Sequence, residues 1–214
     1  MVEIVYVDPL KPDRRVLERI GRLARQGALV VYPTDTVYGV GTNPLLEDAV
    51  KRLYRAKKRP LGKPVPVLAS SIKHVERIAV LSEEARKLAT RFWPGPLTIV
   101  VPAKPSLPPI VTGGSGKVGV RIPAHNIAKL LTEEAGGLII GTSANISGRP
   151  PPRTAEEALR QLGNSIDVII DAGPAPGGKP STVIDLTTTP PKIIRKGPIE
   201  KKELEEVLGV EVVE

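Results

Sequence analysis

Leu138-Ile139-Ile140-Gly141-Thr142-Ser143-Ala144-Asn145-Ile146-Ser147-Gly148 joins an apolar run to a crowd of small and polar residues. The run predicts a buried strand over 138–142. The eight residues from Gly141 onward are what a chain uses when it leaves a sheet and lets a ligand approach its backbone. A second stretch has the same build: the apolar run Ala28 to Tyr32, then Pro33-Thr34-Asp35-Thr36-Val37-Tyr38-Gly39-Val40-Gly41. Two such strand exits predict one cleft lined with hydroxyls, amides and backbone N–H groups.

Outward from these exits, strands and helices interleave. Periodicity predicts strands at 2–7, 28–32, 65–69, 97–101, 118–122, 168–171, 181–186 and 192–196. It predicts helices at 12–26, 46–57, 82–92, 126–135, 154–162 and 200–208, with Ser82 and Thr154 as N-caps. Glu83 and Glu84 lie in a first turn, where the helix dipole favours them. The segment 102–117 is rich in Pro and Gly and reads as a mobile loop between two strands. The alternation predicts an α/β fold with a twisted mixed sheet and flanking helices. Two strands joined without an intervening helix, 97–101 and 118–122, exclude a simple parallel array. With no repeat and no long linker, one domain over 1–214 is expected.

Composition removes several classes of function. The 214 residues include no cysteine, so disulfides, thiolate catalysis and Cys-type zinc sites are excluded. Two separated histidines, His74 and His125, make no His-rich metal cluster and read as non-catalytic. Aromatics are only 3% of the chain, too few for a base-stacking platform. No apolar run is long enough to span a membrane and no signal pattern opens the chain, so a cytoplasmic protein is expected. The net charge of +8 attracts polyanions such as nucleotides or RNA, and equally suits a merely basic soluble protein.

Leu53-Tyr54-Arg55-Ala56-Lys57-Lys58-Arg59-Pro60 places four cations at a helix C-terminus. Such cations suit the dipole and solvent. Pro60, Gly62 and Pro64 would also stiffen the following turn and hold them for a triphosphate. Thr34, Asp35, Thr36 and Tyr38 suit turn chemistry, and Ser143, Asn145 and Ser147 suit a helix N-cap, as readily as they suit a ligand. Arg121 stands in an apolar strand and needs a partner there: an Asp or Glu elsewhere, or a ligand carboxylate or phosphate. Arg195 repeats the pattern. No P-loop, dinucleotide fingerprint or Ser-His-Asp set is present. These residues describe a basic, hydroxyl-lined cleft and no particular reaction.

Seven collinear segments make the chain resemble the YrdC/Sua5 family, the L-threonylcarbamoyladenylate synthases. They are Tyr32 to Gly39, Lys57-Lys58-Arg59-Pro60, Trp93-Pro94-Gly95-Pro96-Leu97-Thr98, Val120-Arg121-Ile122-Pro123, Thr142 to Gly148, Pro180 to Asp185 and Ile194-Arg195-Lys196-Gly197. The resemblance implies a twisted α/β fold with a large basic concave cleft. It implies an enzyme that makes threonylcarbamoyl-AMP and pyrophosphate from L-threonine, bicarbonate (as CO₂) and ATP, with Mg²⁺ held through the ATP phosphates. A partner transferase would then use the product for t6A37 modification of ANN-decoding tRNAs. The family's K-x-R and S-x-N pieces fall on Lys57, Arg59, Ser143 and Asn145 as the catalytic set. Lys57 and Arg59 are expected on the phosphates and the developing charge. Ser143 and Asn145 are expected to orient nucleotide or carbamate oxygens. Thr34, Arg121 and Ser181 would meet threonine, Arg121 through its carboxylate. Arg195, Lys58 and Lys63 would meet the nucleotide. Leu68 stands where longer members have a His near the threonine, and the additional C-terminal domain of the Sua5 type is not in this sequence. Two other readings fit the same basic concavity: a non-catalytic module binding tRNA or double-stranded RNA, and the carbamoyl-adenylate-forming domain of hydrogenase-maturation carbamoyltransferases.

Overall fold

The computed structural model describes residues 2–214. The chain runs β1 (Glu3–Tyr6), α1 (Arg14–Arg25), β2 (Val30–Tyr32), β3 (Gly39–Gly41), α2 (Glu47–Ala56), β4 (Val67–Ala69) and α3 (Ile72–Ile78). It continues through α4 (Glu83–Phe92), β5 (Leu97–Pro102), α5 (Pro109–Thr112), β6 (Lys117–Arg121), α6 (Asn126–Glu134), β7 (Leu138–Ile140) and β8 (Thr142–Ser143). It closes with α7 (Ala155–Leu162), β9 (Val168–Asp171), β10 (Thr182–Asp185), β11 (Lys192–Arg195) and α8 (Lys201–Leu208).

The α/β reading holds, but the strands form two mixed sheets where one was expected. The first has the order β1-β9-β2-β3-β8, and the second β11-β10-β5-β6-β4-β7. In the first, β9 lies parallel to both β1 and β2, and its Val168, Ile169 and Ile170 are all buried. An apolar run without alternation is what a strand covered on both faces requires. In the second, β5 pairs antiparallel with β6 and parallel with β10.

The decisive stretch explains the division. The strand expected over 138–142 breaks at Gly141. β7 ends the second sheet on β4, and β8 ends the first sheet on β3. Gly141 is required at the crossing, because an added Cβ would lie 2.3 Å from the Leu68 Cγ. The Ile140 N–H donates to the Thr42 carbonyl at 2.9 Å, and this bond joins the sheets where the chain crosses. No helix follows Ser143, Asn145 or Ser147, so the N-cap reading of these residues falls. Ser143 ends β8, and Asn145 and Ser147 lie in the irregular turn that follows.

Helices cover the sheets through one face each. Asp13 caps α1, whose Leu17, Ile20 and Ala24 point inward. At Gly21, α1 comes so close to α6 that a Cβ would stand 2.5 Å from the Glu134 Cβ. Ser82 and Thr154 cap α4 and α7 as expected, each accepting from the N–H three residues on. Helix α3 was not foreseen. Its two buried residues, Val75 and Ile78, sit three apart, too short a pattern to read from sequence. The 102–117 segment is not a free loop. It contains α5, buries Leu107 and Val111, and accepts the Val65 N–H at the Val111 carbonyl. Among the described residues, no helix is long and apolar enough to cross a membrane.

Candidate active site

Both strand exits open onto one cavity of about 130 Å³. One water needs roughly 10–15 Å³ of such space, so the cavity admits a small metabolite. Its wall includes Thr34, Thr36, Thr98, Thr142, Ser143 and Ser181, with Arg59, Arg121 and Arg195 among them. Tyr32, Val37, Pro66 and Leu68 supply the apolar part.

Arg121 comes from the end of β6 and is 5% exposed. Its Nη2 meets Asp35 at 2.5 Å, its Nη1 donates to Thr36 Oγ1 at 3.2 Å, and its Nε donates to the Gly95 carbonyl at 2.8 Å. The partner demanded by its apolar strand is therefore Asp35. Burial lowers the Arg121 pKa, and Asp35 opposes that shift. Three of its five N–H donors are bonded within the protein, which leaves two for a ligand.

Arg195, from the end of β11, donates through Nε to the Ser181 carbonyl and through Nη2 to Ser181 Oγ, both at 2.9 Å. Ser181 Oγ also lies 2.8 Å from Thr98 Oγ1. Arg59 is clasped by its own turn, donating to the carbonyls of Lys63 at 3.0 Å and Pro64 at 2.6 Å. Burial lowers the Arg195 pKa first, and the positive charges of Arg121 and Arg59 lower it further. Among the described residues, no acidic side chain lines the cavity; Asp35 stands behind Arg121. Three guanidiniums held together with one carboxylate make a site that attracts an anion.

Thr34 lines the cavity, but its hydroxyl builds the turn. It accepts the N–H groups of Thr36 and Val37 at 3.1 and 3.2 Å and donates to the Val37 carbonyl at 2.7 Å. Tyr32 donates its hydroxyl to the Ile140 carbonyl at 2.8 Å, and burial pushes its pKa up, so it stays a donor.

The cavity thus unites Thr34, Arg59, Arg121, Ser143, Ser181 and Arg195 of the residues singled out from sequence. Lys57 and Asn145 lie behind its wall. Lys57 Nζ donates to the carbonyls of Ser143 and Asn145, the latter at 2.8 Å. Asn145 Nδ2 donates to the carbonyls of Ile146 and Arg149 at 2.8 and 2.7 Å. Lys58 and Lys63 are exposed and line no part of the cavity. Neither histidine lines it; His74 Nδ1 sits 2.9 Å from the hydroxyls of Ser70 and Ser71. Asp35 and Thr36, open between turn and ligand in the sequence, hold Arg121, and Thr98 and Thr142 line the cavity without standing out in the sequence. Each lies inside one of the seven collinear segments, so the signal was present but spread over many equivalent hydroxyls.

The family model described as Sua5_yciO_yrdC, telomere recombination, matches residues 22–197. The chain belongs to the Sua5/YciO/YrdC family. The threonylcarbamoyl-AMP synthase of Pyrococcus abyssi is 46% identical over 86% of this chain and 55% of its own length. A Mycobacterium tuberculosis relative is 41% identical over 95% of this chain and 94% of its own. The chain therefore spans about half of one Sua5/YciO/YrdC relative and nearly all of another. The crystal structure of P. abyssi Sua5 complexed with L-threonine superposes with a TM-score of 0.94 at 42% identity, over 99% of this chain and 62% of that one.

Proposed function

We propose that the protein is a threonylcarbamoyl-AMP synthase, forming L-threonylcarbamoyladenylate and pyrophosphate from L-threonine, bicarbonate and ATP. The observation that carries this reading is the convergence of Arg59, Arg121 and Arg195 on a hydroxyl-lined cavity of metabolite size. The relatives' names and the threonine-bound neighbour support the same choice of substrate.

The chemistry asks for positioning and charge neutralisation. The unprotonated threonine amine adds to CO₂, losing a proton, and gives a carbamate. A carbamate oxygen attacks the α-phosphorus of ATP, the bond to the bridging oxygen breaks, and pyrophosphate leaves with its electron pair. No protein nucleophile enters the balance. Fixed cations and donors stabilise the charge that develops. In this reading the two unused donors of Arg121 receive the threonine carboxylate, beside the Thr98–Ser181 hydroxyl pair. Arg59 and Arg195 face the phosphates, and Ser143 orients a carbamate or nucleotide oxygen.

Among the described residues, no cluster of three or more His, Cys, Asp or Glu could hold a metal ion. Mg²⁺ belongs to this proposal as the counter-ion that ATP brings with it. A t6A-forming transferase that takes the adenylate to tRNA, and a cytoplasmic setting, complete the reading.

The test is pyrophosphate release from ATP by the purified chain, omitting threonine and bicarbonate in turn. We expect release that requires both, together with a product of the mass of threonylcarbamoyl-AMP. Release that ignores threonine but uses carbamoyl phosphate, or salt-sensitive RNA binding with no release, would replace this reading.

A further inference from the structure

Of the four residues that share the K-x-R and S-x-N pieces, two face the cavity and two do not. Arg59 and Ser143 line it. Lys57 is 1% exposed, among the largest fully buried side chains of the protein. Among the described residues, no carboxylate lies within ion-pair distance of it. An ammonium buried without an acid is costly unless other acceptors surround it. Here the acceptors are main-chain. Nζ donates to the Ser143 and Asn145 carbonyls, and in return the Ser147 N–H donates to the Lys57 carbonyl at 2.8 Å. The bonds run both ways between the end of α2 and the turn, over 86 and 88 residues of sequence. Their two anchors carry residues that line the cavity: Arg59 follows Lys57 by two residues, and the Ser143 hydroxyl leaves the same residue whose carbonyl Lys57 holds.

We propose that Lys57 is a positioning residue: its buried ammonium straps the Ser143–Asn145 turn to the end of α2 and so sets the spacing between the Arg59 guanidinium and the Ser143 hydroxyl, without itself meeting the phosphates. Burial, and next Arg59, push the Lys57 pKa down to about 7. A neutral amine still has two N–H donors for two carbonyls, so the strap survives loss of the proton. A phosphate ligand would instead need the charge.

Three measurements decide the matter, with inorganic tripolyphosphate as the anion probe. Amide hydrogen exchange at Ser143–Ser147 is compared in wild type and Lys57→Met. Tripolyphosphate affinity is measured for wild type, Lys57→Met and Arg59→Met. The Lys57 side chain of the wild type is titrated by NMR with and without the probe. We expect exchange to quicken about tenfold or more in Lys57→Met, since a bond worth roughly 1.4 kcal/mol changes local opening by that factor. We expect Arg59→Met to bind the probe about tenfold more weakly and Lys57→Met to stay within about threefold of wild type. A direct contact with an anion raises a lysine's proton affinity about tenfold or more, and we expect the wild-type Lys57 to change by less than about threefold. Unchanged exchange, or a tenfold rise in that proton affinity, overturns the proposal. Should Lys57→Met bind the probe weakly while exchange quickens, or fail to fold, the wild-type titration alone decides. These arms do not depend on the synthase reading. One further arm does: with the substrates of that reading, kcat should fall in Lys57→Met while the KM for ATP holds. If wild type releases no pyrophosphate, the reading fails and the strap is still judged by the other three.

Discussion

Lys57 shows how much one side chain's direction decides. Its neighbours Lys58 and Arg59 have the same sign and nearly the same reach, yet only Lys57 is buried. Lys58 adopts φ 48°, in the left-handed region, where the chain turns at the end of α2; its side chain is exposed, whereas that of Lys57 is buried. The burial has a consequence for pH. Lys57 has an ordinary value of 10.5 and a folded value of about 7. Between these the unfolded chain binds more protons than the folded one, so stability rises with pH across the window, by at most about 1.4 kcal/mol per pH unit. Tyr32 and Tyr38, raised above 10.0 by burial, act in the opposite sense only above that value. Denaturant midpoints between about pH 7.5 and 9.5 should therefore climb in wild type and flatten in Lys57→Met. An equal slope in both would show that another group titrates.

At the scale of elements, the β7–β8 crossing is the tightest constraint on the cavity. Gly141 touches Leu68 on one side and leads directly into Thr142 and Ser143 on the other. A methyl at Gly141 would force Leu68 and the strand apart. We expect Gly141→Ala to cost about 1–3 kcal/mol, read as a fall in denaturant midpoint at unchanged slope, and to lower turnover as well. Gly62→Ala is the control, because nothing lies within 4 Å of its added Cβ. It should stay within about 0.5 kcal/mol of wild type. Equal losses at both positions would mean that helix and turn propensity, not the close approach, sets the cost. The elements themselves were legible to different degrees. Capped helices such as α4 and α7 could be read because the cap, the first-turn acids and the apolar spacing are all local. The short strands β3 and β8 could not, since two or three residues carry no period; β3 lies between β2 and β8, and β8 pairs with β3 across about a hundred residues of sequence.

For the molecule as a whole, the cavity stands where the two sheets meet, and its charge is unbalanced. Arg59, Arg121 and Arg195 stand together with one carboxylate, Asp35, which pairs with Arg121, and burial first, then the charges of the other two, lowers the proton affinity of Arg195. Such a cluster repels itself until an anion enters. Pyrophosphate should therefore raise the melting temperature more than chloride at matched ionic strength, and Arg195→Met should shrink the difference. Equal stabilisation by both salts would mean that general screening, not occupation of the cavity, is at work.

The sequence by itself determined the α/β alternation, most helix ends, the basic balance, and the segments that would supply the cavity. These rest on local physics: side-chain periods, caps, turn residues and sign of charge. Only the tertiary structure decided that the strands divide into two sheets, that Asp35 is the partner of Arg121, and that Arg59 faces the cavity while Lys57 braces it from behind. Each of these depends on which distant segments become neighbours. The inward or outward direction of Lys57 is settled by carbonyls 86 and 88 residues away, and no pattern near position 57 encodes them.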